Sequence, residues 1–88
     1  AHGLRVPAVF ADRLVLETIR DSHGTAIAIT ESHISRAKKD LARKEGIFTA
    51  PEGAATLAGL QKLVDAGEVD SSEQIVLFNT GSGLKYIY

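Results

Sequence analysis

The sequence feature best suited to chemistry is a glycine turn, Thr80 to Gly83 (T-G-S-G), that follows the apolar run Ile75 to Phe78. At the carboxyl end of a buried strand in an α/β sheet, a hydroxyl and exposed backbone N–H groups face the crevice in which ligands commonly bind. Glycines at 81 and 83 allow a positive φ or a close approach of the backbone. The pattern alone favours an ordinary turn leaving a strand. The functional alternative is a contact with a small molecule or cofactor.

The remaining residues that could do chemistry give weaker signals. The three histidines, His2, His23 and His33, are scattered, with no carboxylate or cysteine at metal-ligand spacing, so we predict no metal site. Lys85 follows the glycine turn and is assigned a surface or structural role. Glu52 falls in the first turn of a predicted helix, where the helix dipole already favours a carboxylate. A contact between Glu52 and substrate or cofactor is the alternative.

Composition limits the class of protein. The chain has 88 residues, 44% of them hydrophobic, which suits a single piece of a globular protein. Ten basic and eleven acidic residues give a net charge of −1, so neither nucleic acid nor a membrane surface is an expected partner. The apolar runs are far shorter than the roughly 20 residues that cross a bilayer. There is no cysteine, and we expect a soluble protein in the cytoplasm.

Apolar spacing divides the first half of the chain into helix, strand and helix. Residues 7–22 predict a mostly buried helix, with Gly24 suited to end it in a left-handed conformation. The run Thr25 to Ile29 (T-A-I-A-I) predicts a short strand covered on both faces. Thr30 then stands at the N-cap of an amphipathic helix, which Gly46 ends.

The second half predicts a further helix and strand. After a brief extended link, Ile47 to Ala50, Pro51 opens a helix that runs to about Ala66, with Gly67 as its stop. Ile75 to Phe78 is the second buried-strand candidate. A helix whose early residues are all small usually lies against another backbone or a ligand, and five such residues occur here: Gly53, Ala54, Ala55, Ala58 and Gly59.

These elements give an α/β order of α-β-α-α-β, which we interpret as an incomplete three-layer sheet. Two strands do not make a stable sheet by themselves, since three or more, or substantial cover, are normally needed. The first residue is Ala1 rather than methionine. We therefore expect a piece of a larger α/β enzyme, with exposed apolar surface that the rest would cover and that favours self-association of the piece alone.

Two strings carry a resemblance to a known family. E-G-I-F-T-A-P-E-G-A-A, residues 45–55, and V-L-F-N-T-G-S-G-L-K-Y, residues 76–86, closely resemble the two C-terminal signature segments of threonine synthases. G-L-R-V-P at 3–7, the helix at 11–20 and S-H-G-T-A-I-A-I-T at 22–30 are similar to the segment that precedes them. The likeness covers nearly the whole chain in the same order and spacing.

The resemblance implies the C-terminal part of a fold-type II pyridoxal phosphate (PLP) enzyme, a lyase that converts O-phosphohomoserine and water to threonine and phosphate. In that family a Ser or Thr hydroxyl after the last core strand hydrogen-bonds the pyridine nitrogen, and the matching residue is Thr80, followed by Gly81. A hydroxyl does not enforce a protonated pyridinium, which makes the ring a gentler electron sink. The Schiff-base lysine and the phosphate-binding loop belong to earlier parts of such enzymes, so the chain holds no catalytic residue.

Several alternatives stay open at this point. A threonine or serine deaminase and a cysteate synthase share the implied fold, and substrate choice depends largely on residues elsewhere in such enzymes. The alternative from another class is a free-standing, non-catalytic α/β module that binds a small ligand. If the threonine synthase interpretation holds, the chain forms one wall of the cofactor site, needs the remainder of the enzyme as its partner, and is inactive alone.

Overall fold

The computed structural model describes Leu4 and residues 11–86, and its regular structure over residues 11–86 is entirely helical. The first helix, α1, spans Asp12–Asp21, α2 spans Glu31–Glu45 and α3 spans Pro51–Asp65. A 3₁₀-helix, Gly83–Tyr86, follows the glycine turn. In this part of the chain no helix is long and apolar enough to span a membrane.

Helix α1 departs from the sequence prediction in two ways. None of its residues is buried, and Leu14, Val15 and Leu16 are all about half exposed or more, so the expected burial is wrong for this chain. The left-handed residue at its end is His23 (φ 58°) and not Gly24. Gly24 is the next residue, and its N–H donates to the Ile19 carbonyl at 2.9 Å, which closes the helix end. The predicted first turn around Pro7 lies outside the described residues.

Helix α2 begins and ends where its sequence signals predict. The Thr30 hydroxyl accepts the His33 backbone N–H at 3.2 Å, which satisfies one of the free donors of the first turn. Gly46 takes the left-handed conformation (φ 68°) and donates its N–H to the Ala42 carbonyl at 3.1 Å. The cap prediction at both ends is confirmed.

Helix α3 also follows its prediction. Pro51 occupies the first turn, where its missing N–H is not needed, and Ala66 caps the end just before Gly67 (φ 74°). Four of the five small residues are buried, as a close contact requires, but the groups that the two glycines face are side chains and not another backbone. The buried members are Gly53, Ala54, Ala58 and Gly59.

The core lies between α2 and α3. Ile34 and Ala37 of α2 pack on Ala54 and Ala58 of α3, with Ile29, Ala55 and Leu57 partly buried around them. Three of the four central residues are alanines, so the two helices meet through little more than backbone and methyl groups. Lys62 adds a polar link, since its ammonium group donates to the Ala28 carbonyl at 2.7 Å and ties the segment before α2 to α3.

The two predicted strands do not form a sheet within residues 11–86. Thr25 to Ile29 and Ile75 to Phe78 are non-helical but have no ladder partner, and the one bridge in the described chain joins Thr49 to Ser82 in antiparallel sense. A strand is stabilised by hydrogen bonds to neighbouring strands, and these two segments do not pair with each other. The described residues therefore show three helices joined by segments without regular structure, and the α-β-α-α-β order with a partial sheet is not confirmed.

The expected exposed apolar surface is present. Val76 and Phe78 are 81% and 79% exposed, in the segment that the sequence pattern predicts to be a buried strand. Ile27, in the other such segment, is 39% exposed. These side chains are of the types found in protein interiors, yet the described part of the chain leaves them partly or largely exposed.

Replacing the Thr30 cap tests the start of α2. We expect Thr30→Ala to lower the free energy of unfolding by about 1 kcal/mol, because the first turn loses its side-chain acceptor. Ser35→Ala, an exposed serine of the same helix, is the control and should change it by less than about 0.5 kcal/mol. Urea denaturation measures both values, and equal effects from the two variants would contradict the cap.

Two buried glycines of α3 make a matched pair. A Cβ on Gly53 would meet Asn79 Oδ1 at 2.5 Å and would come closer still to the Thr49 hydroxyl, whereas on Gly59 it would meet only Ile27 Cγ2 at an ordinary 3.7 Å. We expect Gly53→Ala to destabilise by about 1–3 kcal/mol through overpacking. Gly59→Ala should stabilise by about 0.5–1 kcal/mol through helix propensity. Chemical denaturation gives the free energy of unfolding of both variants. If Gly53→Ala were stabilising, the close contact of Gly53 with Asn79 and Thr49 would be absent.

Candidate functional site

The glycine turn lies across the link that leads into α3. The Ala50 N–H donates to the Gly81 carbonyl at 3.1 Å, and the Gly83 N–H donates to the Phe48 carbonyl at 2.9 Å. These two bonds flank the Thr49–Ser82 bridge, so the turn is held on both sides of Ser82. The two family-like strings at 45–55 and 76–86, which are distant in sequence, thus meet at one place.

A side-chain hydrogen bond adds a further contact to this junction, the place where the link at 47–50 meets the glycine turn. Thr49 is fully buried, and its hydroxyl donates to Asn79 Oδ1, 30 residues along the chain. The Ala50 carbonyl lies 3.2 Å from the same hydroxyl and is an alternative acceptor for its single proton. Asn79 itself is exposed, so the buried hydroxyl holds a carboxamide at the surface.

Close approach, and not a left-handed backbone, explains Gly83 at this junction. Left-handed φ values occur at Gly46 and Gly67 but at neither Gly81 nor Gly83, so the first of the two reasons anticipated for these glycines does not apply. A Cβ on Gly83 would lie 2.6 Å from the Phe48 ring and 2.8 Å from the Thr49 carbonyl. Contacts so short exclude any larger residue at position 83.

The ring of Phe48 is itself held in place. The Lys38 ammonium lies 5.3 Å from the centroid of that ring, within the range of a cation–π contact. Lys38 belongs to the basic side of α2, which the sequence favours as a solvated face. One of its lysines therefore also covers the ring that packs on the glycine turn.

Thr80 stands between the fixed neighbours Asn79 and Gly81. It is exposed, and its hydroxyl makes no hydrogen bond to any described residue, so the group is available to an outside partner. A Cβ on Gly81 would meet, among described residues, only Ala50 Cβ at 3.4 Å, which leaves open space on the other side. A free hydroxyl beside an open glycine fits the edge of a flat aromatic cofactor such as PLP. The assignment of both residues to the cofactor stays a prediction.

The other sequence candidates lie away from this junction or have ordinary surroundings. Lys85 is exposed in the 3₁₀-helix, as a surface role requires. Glu52 is half-buried in the first turn of α3. His23 and His33 are exposed, and His2 lies outside the described residues. Over Leu4 and residues 11–86, no three His, Cys, Asp or Glu side chains are grouped as metal ligands.

Two grooves of the described chain lie away from Thr80. One of them, about 530 Å³, runs between α2 and α3 beside His33, Arg36 and Lys62. A second groove of about 360 Å³ is lined by Leu41, Leu57 and Leu77, among others. Neither groove is lined by Thr80 or Gly81.

Sequence reasoning missed the residues that hold the candidate site. Thr49 and Asn79 were part of the noticed strings but were assigned no role, and Gly53 was named only among the small residues expected to lie close to another group. Gly53 carried the only usable signal, because a glycine inside the first turn of a helix usually marks a close contact. Which atoms it contacts could not be read from spacing alone.

Comparison with known proteins identifies the family. A family model described as pyridoxal-phosphate dependent enzyme matches residues 1–81. The threonine synthase of Methanocaldococcus jannaschii is 50% identical over 70 residues, which are 80% of this chain and 17% of that enzyme. The threonine synthase of Methanosarcina acetivorans matches with the same identity and coverage.

A bacterial relative extends the match over more of the chain. The threonine synthase of Halalkalibacterium halodurans is 37% identical over 85 residues, 97% of this chain and 24% of that enzyme. The chain thus spans about a fifth of the length of the relatives that it matches. Pyridoxal phosphate is the cofactor of this family. The chain belongs to the pyridoxal-phosphate dependent enzymes.

Proposed function

We propose that the chain is the C-terminal portion of a PLP-dependent threonine synthase, a lyase that converts O-phosphohomoserine and water to threonine and phosphate. The observation that carries this proposal is the Thr80 hydroxyl. It is exposed, has no partner among the described residues, and stands at the position where the resemblance to threonine synthases puts the partner of the cofactor ring. The likeness to threonine synthases from archaea and bacteria supports the choice of reaction.

Each residue at the glycine turn has a defined part in this proposal. When bound, the cofactor supplies an electron sink for carbanion chemistry on the amino-acid substrate. The Thr80 hydroxyl would hydrogen-bond the ring nitrogen without transferring a full proton to it, as a neutral hydroxyl is a weak acid. Gly81 would let the ring edge lie close to the backbone. The lysine that binds the cofactor and the loop that binds its phosphate belong to the remainder of the enzyme.

The chain would therefore form one wall of the cofactor site and be inactive alone. Its glycine turn is open on the side of Thr80, and an exposed apolar segment, around Val76 and Phe78, ends just before that turn. The remainder of the enzyme is the partner that would cover this segment and close the site. In isolation the same apolar surface favours self-association of the piece.

A substrate assay of the full-length protein tests the proposed reaction. We expect release of inorganic phosphate from O-phosphohomoserine in step with formation of threonine. The 88-residue chain alone should release none, and should give no visible absorbance of bound cofactor when mixed with pyridoxal phosphate. Ammonia released from threonine, without phosphate from O-phosphohomoserine, would identify a deaminase instead. Activity of the chain alone would contradict the one-wall arrangement.

Substitution of Thr80 tests the residue on which the proposal depends. In the full-length enzyme we expect Thr80→Ala to lower kcat about tenfold, the loss of roughly one hydrogen bond of 1.4 kcal/mol. Thr80→Ser keeps the hydroxyl and should stay within about threefold of the parent. Lys85→Ala is the control and should leave the rate unchanged, because that side chain is exposed beyond the turn. Steady-state kinetics gives all three values, and an unaffected Thr80→Ala enzyme would contradict the role.

A further inference from the structure

Thr49 is the largest side chain that is fully buried in the described part of the chain, and it is polar. A buried hydroxyl is costly unless it has a hydrogen-bond partner. A valine of the same shape would fill the space but could not make a hydrogen bond, so the hydroxyl adds a specific contact that packing alone would not supply. Its one partner outside the adjacent residue is Asn79, which immediately precedes Thr80.

The Asn79 carboxamide and the Thr49 hydroxyl both lie against Gly53. Gly53 has no room for a Cβ because the Thr49 hydroxyl and Asn79 Oδ1 occupy that space. The missing side chain of Gly53 lets the carboxamide lie over the first turn of α3. A glycine in a helix interior costs about 1 kcal/mol relative to alanine, so the first turn of α3 is weakened where Asn79 is accommodated.

Thr80 is consequently held from both sides. Its preceding neighbour is fixed through the Asn79 side chain, and its following neighbour is fixed because the Gly81 carbonyl accepts the Ala50 N–H at 3.1 Å. The backbone of Thr80 has little freedom between two such anchors. A hydroxyl that must meet a ring nitrogen at hydrogen-bonding distance depends on the direction of its own Cα–Cβ bond.

We propose that Thr49 is a positioning residue for the cofactor site: its buried hydroxyl holds the Asn79 carboxamide and so orients the Thr80 hydroxyl toward the ring nitrogen. This inference rests on the proposed function, because it takes Thr80 as the partner of the cofactor. Thr49 contacts neither cofactor nor substrate. It acts through Asn79 and Thr80, and its effect on cofactor binding depends on its hydroxyl group and not on its volume.

A purely structural role for Thr49 makes a different prediction. If the hydroxyl only stabilised the junction of the link with the glycine turn, its removal would lower the melting temperature without regard to what stands at position 80. If it positions Thr80, its removal matters to cofactor binding only while the Thr80 hydroxyl is present. The two roles are therefore separated by a double-mutant cycle between positions 49 and 80.

The experiment uses the full-length enzyme and titrates its cofactor-free form with pyridoxal phosphate, followed by the visible absorbance of the cofactor. The variants are Thr49→Val, Thr49→Ser, Thr80→Ala and the double variant Thr49→Val/Thr80→Ala. We expect Thr49→Val to weaken cofactor binding about three- to tenfold, the usual range for one hydrogen bond. Thr49→Ser should restore binding to within about twofold. In the Thr80→Ala background, Thr49→Val should cause no further loss.

The possible contrary results are distinct. An equal loss of affinity from Thr49→Val in both backgrounds would overturn the positioning role. The positioning role would also be overturned if Thr49→Val bound the cofactor as tightly as the parent while Thr80→Ala bound it more weakly. In that case the proposed function would stand. An unchanged affinity of Thr80→Ala would count against the proposed cofactor contact itself, and the positioning role would fall with it.

A second variant guards against failure of Thr49→Val to fold. Asn79→Ala removes the same hydrogen bond from its exposed partner and places no new group in the interior. We expect the same three- to tenfold loss of cofactor affinity in the parent enzyme and no further loss in the Thr80→Ala background. If Asn79→Ala weakened cofactor binding equally in the parent and in the Thr80→Ala background, the proposal would be overturned.

Discussion

The hydrogen bond from Thr49 to Asn79 joins the two segments on which the rest of this small structure depends. Thr49 ends the link between α2 and α3, and Asn79 precedes the glycine turn. The backbone bonds from Ala50 to Gly81 and from Gly83 to Phe48 flank the same crossing. Without this junction, the extended segment after α3 would have little to hold it, since most of its residues are exposed.

The small side chains of α3 follow from that junction and from the packing on α2. Gly53 has to be small because Asn79 and Thr49 meet over it, while Ala54 and Ala58 are small because Ile34 and Ala37 lie against them. Helix α3 thus has small residues facing two different neighbours, the Thr49–Asn79 pair and helix α2. The consequence is a core of modest apolar volume, which suits a segment whose remaining apolar surface is covered by other parts of a larger enzyme.

The exposed apolar residues and the open glycine turn have a common physical origin. A strand in the interior of a sheet is apolar because neighbouring strands and covering helices remove it from water. Val76 and Phe78 have that character but lack those neighbours in a chain that spans about a fifth of its relatives' length. Thr80 follows them directly, so the cover that would bury the strand would also enclose the ligand side of the turn.

The amino-acid sequence by itself determined what depends on neighbours along the chain. The caps of α2 at Thr30 and Gly46, and the start of α3 at Pro51, are set by local backbone chemistry, and all three were predictable. The family was also readable, because ordered strings at 45–55 and 76–86 are conspicuous without any knowledge of contacts. Thr80 and Gly81 were singled out on that likeness.

Only the tertiary structure decided what depends on residues distant in sequence. Within residues 11–86 the predicted strands lack ladder partners, because pairing is a property of two segments and the spacing within one segment does not show which other segment lies beside it. The left-handed residue that follows α1 is His23 and not Gly24, because residue spacing does not resolve a one-residue difference at a helix end. Thr49 drew no attention in sequence because its partner is 30 residues away, and a hydrogen bond across that distance exists only once the chain has folded.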